Sequence, residues 1–193
     1  MRKDIILGGV GGQGILTIAA TIGTAAVDSG LFLKQSEVHG MSQRGGDVMS
    51  NLRLSSNEIF SDLIPEGKAD LIIGVEPMEA LRHLNMLKKD GWLITNKKPF
   101  INIPKYPDVD SLLLAVEEIN HHVSLDADRI AKELGTLKVA NMVMLGAAIP
   151  FVGLDFSAYE NALNIIFGKK GQEIVALNIE ALKAGIKEAE KFL

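Results

Sequence analysis

The stretch that most restricts what this chain can become runs from Asp4 to Gly14, Asp-Ile-Ile-Leu-Gly-Gly-Val-Gly-Gly-Gln-Gly. The apolar run Ile5-Ile6-Leu7 reads as a short buried strand, and a helix-compatible pattern begins at Ile15. Between them lie seven residues, Gly8 to Gly14, of which five are glycine. Strand, glycine turn and helix in that order, with Gly9-x-Gly11-x-x-Gly14, form the place where α/β folds bind phosphate. Glycines let backbone N–H groups approach an anion with no Cβ in the way, and the helix N-terminus adds about half a positive charge. The plainer alternative is that the glycines only allow close helix–strand packing.

Composition narrows the field. The chain has 193 residues, long enough to bury a full core, and 47% of them are apolar. A net charge of -4 with few aromatics argues against nucleic acid as a partner. The absence of cysteine excludes disulfides, thiol catalysis and any cysteine-ligated zinc or iron–sulfur centre within these residues. The 23 residues between Asp4 and Asp28 carry no charge, but six glycines and three threonines interrupt them. They read as a buried strand plus a buried helix, with no membrane span, and the chain is expected in the cytoplasm.

The first helix, about Ile15 to Ser29, has Thr17, Thr21 and Thr24 at i, i+4 and i+7. With no charge before Asp28 its threonine face is expected to meet other protein, such as a second subunit. Leu31-Phe32-Leu33 is the next strand, and it ends in Lys34-Gln35-Ser36 where a dinucleotide-binding domain wants an acid for the ribose. That counts against NAD. Ser36 to Asp47 reads as a long polar loop containing His39, Gln43, Arg44, Gly45 and Gly46. Long loops in compact domains tend to be functional or disordered, and a forked cation beside flexible N–H donors suits phosphate or carboxylate.

Further on, Val48 to Leu54 alternates and Ser55-Ser56-Asn57 turns it into Glu58-Ile59-Phe60-Ser61, which predicts a hairpin. Asp70 to Glu76 is a buried strand, Pro77 opens a helix to about Lys89, and Trp92 to Thr95 is another strand. His121 and His122 are adjacent, so they point to opposite sides of a strand and no metal site is expected there. Asp126 caps a helix ending at Gly135, and Asn141 to Ile149 is apolar nearly all round, closed by Pro150. Ser157-x-x-Glu160 reads as a capping box, and a surface helix runs from about Glu173 to Leu193. The alternation predicts one α/β domain over residues 1–193, a three-layer Rossmann-like open sheet, mostly parallel with a hairpin that makes it mixed. No nucleophile elbow, Walker lysine or paired histidine appears, so no catalytic residue is assigned. An anion-binding turn without catalytic machinery suits a binding or assembly subunit better than a self-sufficient enzyme.

Gly9-Val10-Gly11-Gly12-Gln13-Gly14 followed by Gln35-Ser36-Glu37-Val38-His39-Gly40-Met41-Ser42-Gln43-Arg44-Gly45-Gly46 resembles the gamma-type domain of 2-oxoacid:ferredoxin oxidoreductases. The likeness continues at Asp126 to Gly135 and at Asn141 to Gly146. Within the family it is most similar to the indolepyruvate type, and the segment from Ser36 to Gly46 is the specific part. Pyruvate and 2-oxoglutarate types keep the glycine turn and an Arg-Gly ending but differ between. The resemblance implies a subunit of an enzyme that oxidatively decarboxylates an aryl 2-oxoacid with coenzyme A, giving an aryl-acetyl-CoA and reduced ferredoxin. It implies thiamine diphosphate and iron–sulfur clusters in a large partner subunit, in keeping with a chain that lacks cysteine. It also implies cofactor contacts, coenzyme A above all, at Gly9, Gly11, Gly12, Gln13 and Gly14 and at His39, Gln43, Arg44, Gly45 and Gly46. The competing reading is a stand-alone nucleotide-binding or regulatory α/β protein.

Overall fold

The computed structural model describes residues 1–40 and 45–193. Its centre is β1 (Arg2–Val10), in which Ile5, Ile6 and Leu7 are all buried. A strand apolar on both sides needs cover on both faces, and the sheet around it is built accordingly. Among the described residues six strands lie in the order β2-β3-β1-β4-β5-β6, with β2 (Phe32–His39), β3 (Asp47–Ser55), β4 (Ala69–Gly74), β5 (Leu87–Asn96) and β6 (His122–Leu125). β1 pairs in parallel with β4, β4 with β5, and β5 with β6, while β3 is antiparallel to both β1 and β2. The expected mixed α/β sheet is therefore present.

Alternation along the strands sorts the two faces. Ile5, Leu7, Leu52, Leu54, Leu71, Ile73 and Ile94 pack beneath α1 (Ile15–Asp28), α4 (Ala127–Glu133), α5 (Ala140–Val152), α6 (Phe156–Phe167) and α7 (Gln172–Ala189). Ile6, Ile72 and Leu93 face the other way, toward Ala80 of α2 (Pro77–Arg82), Val116 of α3 (Val109–Glu117) and Ile64. On the first face α5 and α7 touch backbone to backbone. A Cβ on Gly146 would lie 2.2 Å from the Leu182 carbonyl oxygen, and one on Gly185 would lie 2.1 Å from that of Val143.

Several local expectations are corrected. The hairpin joins β2 to β3, from Phe32↔Ser55 to His39↔Val48, and 58–61 forms no strand. That segment instead crosses the thinner face, where Arg53 donates to the Ser61 and Leu63 carbonyls at 3.0 and 2.9 Å. The Ile64 N–H donates to Asn51 Oδ1 at 3.1 Å beside them. The polar loop expected from Ser36 is strand as far as His39, because β2 is an edge strand on which Lys34, Gln35, Val38 and His39 are exposed. The helix after Pro77 stops at Arg82, and Gly91 lies inside β5 near a register shift between Ala69 and Leu71. α6 starts at Phe156 with Asp155 at the N-cap position, so Ser157 lies inside the first turn and no capping box forms. Pro150 sits within α5, near its end, and the helix continues to Val152.

The exposed face of α1 is not the threonine one. Thr21 is buried and its hydroxyl donates to the Thr17 carbonyl at 2.8 Å, which satisfies it inside the protein. Leu16, Ala20, Val27 and Asp28 are its exposed residues.

Candidate functional site

The turn after β1 is braced by one side chain. The Gln13 N–H donates to the Val10 carbonyl at 3.1 Å, and Gln13 Oε1 accepts from the Val10 N–H at 2.8 Å. Gly12 and Gly14 have φ of 103° and 81°, a region L side chains rarely adopt. Among the described residues a Cβ on Gly12 would meet nothing within 4 Å, so they leave its peptide open. Gly14 caps α1 with no side-chain acceptor, and no acid occupies the first turn, which leaves the positive end of the helix uncompensated. Gly9 differs. It lies within β1, and a Cβ there would sit 2.3 Å from Val75 Cγ2 and 2.9 Å from Ile15 Cδ1, so it serves packing.

The fold brings the second motif to this turn by extending the β1–β3 ladder one step past Val10↔Asp47. The Gly11 N–H donates to the Gly46 carbonyl at 2.8 Å, and the Gly45 N–H donates to the Gly11 carbonyl at 3.3 Å. Gly45 and Gly46 are thus clipped to the glycine turn. Gln43 and Arg44 lie outside the described residues.

Two clefts flank the turn. One, of about 620 Å³, runs between Gly11–Leu16 and the end of β2 and contains Glu37 and His39. His39 Nδ1 lies 3.1 Å from Glu37 Oε1, and the Glu37 side chain is mostly buried, with Oε2 unpartnered among the described residues. His39 is therefore beside the glycines. The other cleft, of about 450 Å³, opens between Gly12–Gly14 and the starts of α4 and α5. Asn141 presses on the turn from that side, donating to the Gly14 carbonyl at 3.3 Å. Asn96 donates to Asp128 at 2.8 Å and accepts from the Ala127 N–H, fixing the floor. The exposed Lys138 supplies a cation at this cleft. Sequence reading assigns no site role to Lys138, Asn141 or Glu37, although Glu37 lies within the Ser36–Gly46 segment. Asn141 at the head of an otherwise apolar segment and Glu37 inside the motif offered signals, and Lys138 offered none.

The thinner face of the sheet carries buried ionisable groups close by. Glu76 is fully buried and accepts from the Glu79 N–H at 2.9 Å, from the Phe100 N–H at 3.3 Å and from the Tyr106 hydroxyl. Burial and the adjoining Glu76 carboxylate push the Tyr106 phenol well above its usual range. Burial raises the Glu79 carboxyl, against the lowering effect of the Arg82 guanidinium that grips it at 2.9 Å. Burial also lowers His83, with Arg82 adding to the effect and Asp47 opposing it. The adjacent histidines have separate partners: His121 stacks on Trp92 at 5.1 Å and His122 Nδ1 lies 2.7 Å from the Ile119 carbonyl.

A glycine turn joined to a glycine ending on the neighbouring strand, over a mixed sheet, defines a class. The family model of pyruvate ferredoxin/flavodoxin oxidoreductase matches residues 4–188, and the chain belongs to this family. Indolepyruvate oxidoreductase subunit IorB of Pyrococcus horikoshii is 37% identical, the match covering 98% of this chain and 97% of that one. Among solved structures, the gamma subunit of a keto/oxoacid ferredoxin oxidoreductase from Geobacter sulfurreducens has a TM-score of 0.72 at 24% identity, over 98% of this chain and 99% of that one. A 2-oxoglutarate:ferredoxin oxidoreductase from Magnetococcus marinus, solved with 2-oxoglutarate, coenzyme A and succinyl-CoA bound, has a TM-score of 0.80 at 23% identity. This chain is covered completely but spans only 32% of that longer polypeptide. Among the described residues no helix is long and apolar enough to cross a membrane.

Proposed function

We propose that residues 1–193 form the small, non-autonomous subunit of a 2-oxoacid:ferredoxin oxidoreductase that acts on indolepyruvate or a similar aryl pyruvate in the cytoplasm. In that reaction the substrate carboxylate leaves as CO2 and the acyl carbon joins the coenzyme A sulfur. The electron pair released passes to ferredoxin. Thiamine diphosphate and iron–sulfur clusters would belong to the large subunit. This chain has no cysteine to ligate a cluster, and no step is assigned to its side chains.

The observation that carries the reading is the clip between Gly11 and Gly45–Gly46, which unites the two halves of the motif beside open backbone at Gly12. The donor set suits coenzyme A. Turn N–H groups and the helix end would meet its phosphates, Lys138 and Arg44 would supply charge, and Gln13 and Asn141 would hold the turn in shape. His39 would border the same region from the other cleft.

The test is co-expression with the large subunit, followed by assay of ferredoxin reduction dependent on indolepyruvate and coenzyme A. Activity is expected only in the complex, and turnover by this chain alone would overturn the reading. Arg44→Ala and Lys138→Ala are each expected to raise the KM for coenzyme A about 10-fold or more, the scale of a charge-assisted contact. Arg44→Lys should recover part of the loss, since it keeps the charge but not the planar fork. If KM stays within about twofold in both Ala variants, these cations do not hold coenzyme A.

A further inference from the structure

We infer that the segment between β5 and α3 is a strap that sets the position of Gly45–Gly46, with Glu76 as its anchor and Tyr106 and Asn102 as positioning residues. The inference rests on the reading of the glycine turn as a ligand site. It begins with a carboxylate that does more than cap a helix. An N-cap needs one short side-chain acceptor, and Asp, Asn or Ser serves best. Glu76 uses Oε2 for that purpose, on the Glu79 N–H at 2.9 Å. Its other oxygen, Oε1, reaches away from α2 to the strap, accepting the Phe100 N–H at 3.3 Å and the Tyr106 hydroxyl. Between these two contacts Asn102 Nδ2 donates to the Gly45 carbonyl at 2.7 Å. Gly45 in turn donates to Gly11. A path of hydrogen bonds and the short strap backbone between them thus runs from a fully buried acid to the glycine turn.

Apolar burial does not hold the strap in place. Phe100, Ile101 and Ile103 are 43%, 68% and 40% exposed, and none of them is packed into either apolar cluster of the sheet. Pro99, Pro104 and Pro107 stiffen the segment and remove N–H donors, which leaves few other ways to tie it down. The Lys97 N–H, donating to the Leu125 carbonyl at 2.8 Å, and the Lys98 N–H, donating to Asn96 Oδ1 at 3.2 Å, tie its start, and beyond them its position depends on Glu76, Tyr106 and Asn102.

Three variants separate this from a purely structural role. Tyr106→Phe removes the hydroxyl, Asn102→Asp removes the donor to Gly45, and Glu76→Asp keeps a capping oxygen while shortening the reach to the strap. Amide hydrogen exchange at Gly45 and Gly11 is measured on the full chain and on its complex with the large subunit, beside melting temperature. KM for coenzyme A and kcat are measured on the complex. Exchange at both amides is expected to rise about 5-fold or more, the factor of one lost hydrogen bond. KM should rise by a similar factor with kcat nearly unchanged, and Tyr106→Phe should lower the melting temperature by only a few degrees, the shift of about 1 kcal/mol. Unchanged exchange at Gly45 in all three variants overturns the strap. Raised exchange with an unchanged KM supports the strap and refutes coenzyme A as the ligand of this turn.

Discussion

The two faces of the sheet are held by different forces. Under α1 and α4–α7 the contacts are nearly all apolar, and α5 meets α7 so closely that Gly146 and Gly185 leave no room for a methyl group. The opposite face has a small apolar cluster around Ile6, Ile72 and Leu93, and around it buried polar groups: Asp4, Asn51, Arg53, Glu76, Glu79 and His83. Hydrophobic burial is non-directional and tolerates many arrangements, whereas buried carboxylates and guanidinium groups require particular partners. The thick face therefore supplies stability, and the thin face fixes geometry. It is the thin face that reaches the Gly45–Gly46 end of the candidate site, through Glu76 and Asn102.

The sharpest way to break this contrast is at the helix–helix contact. Gly185→Leu would drive a side chain into the Val143 carbonyl, and a loss of about 5 kcal/mol or more is expected, seen as failure to fold or a collapsed denaturant midpoint. A variant that melts like wild type would show that α5 and α7 are not packed as described.

On the thin face the largest effect should come from Arg53→Met. Arg53 spans Asp4 at 2.8 Å and the Ser61 and Leu63 carbonyls, and its loss leaves the Asp4 carboxylate with only the mostly exposed Arg2. About 3 kcal/mol of destabilisation is expected in urea titration, with increased proteolysis at 58–63. A change below about 1 kcal/mol would make this an ordinary surface pair.

Two glycines of the same motif should then part company. Gly9→Ala meets Val75 and Ile15 and is expected to cost about 1–3 kcal/mol in stability. Gly12→Ala meets none of the described residues, so only backbone strain of about 1 kcal/mol is expected, while activity of the complex should fall further than stability does. Parallel losses of activity and stability in both variants would reduce the whole motif to packing.

The smallest effect concerns pH. His83 is held below its usual 6.5 by burial, so the folded protein keeps it neutral while the unfolded chain takes up a proton. Its contribution is complete above pH 6.5 and is lost as pH falls from there toward the folded value. Glu79 acts in the opposite sense: its raised carboxyl favours the folded state below 4.5 and loses that contribution as pH rises through the folded value. The melting temperature should therefore drop on acidification through the range just below pH 6.5, and His83→Gln should flatten that slope. An identical slope in the variant would assign the effect to other groups.

The sequence by itself determined the strand, glycine turn and helix at the head of the chain, because each depends on local properties: an apolar run, positions needing φ > 0, and a helical period. It also determined the second motif at Ser36–Gly46, though not that Ser36–His39 is strand. An edge strand bathed in water looks like a loop when read alone. Glu58–Ser61 reads as a hairpin strand for the converse reason, since Ile59 and Phe60 look like strand residues until Arg53 and Asn51 claim the surrounding backbone. Only the tertiary structure decided that Gly11 meets Gly46, that Lys138 and Asn141 stand at the turn, and that Glu76 reaches Tyr106. Those contacts join residues far apart in the chain through hydrogen bonds whose partners are fixed by the sheet order, and no local pattern encodes the identity of a distant partner.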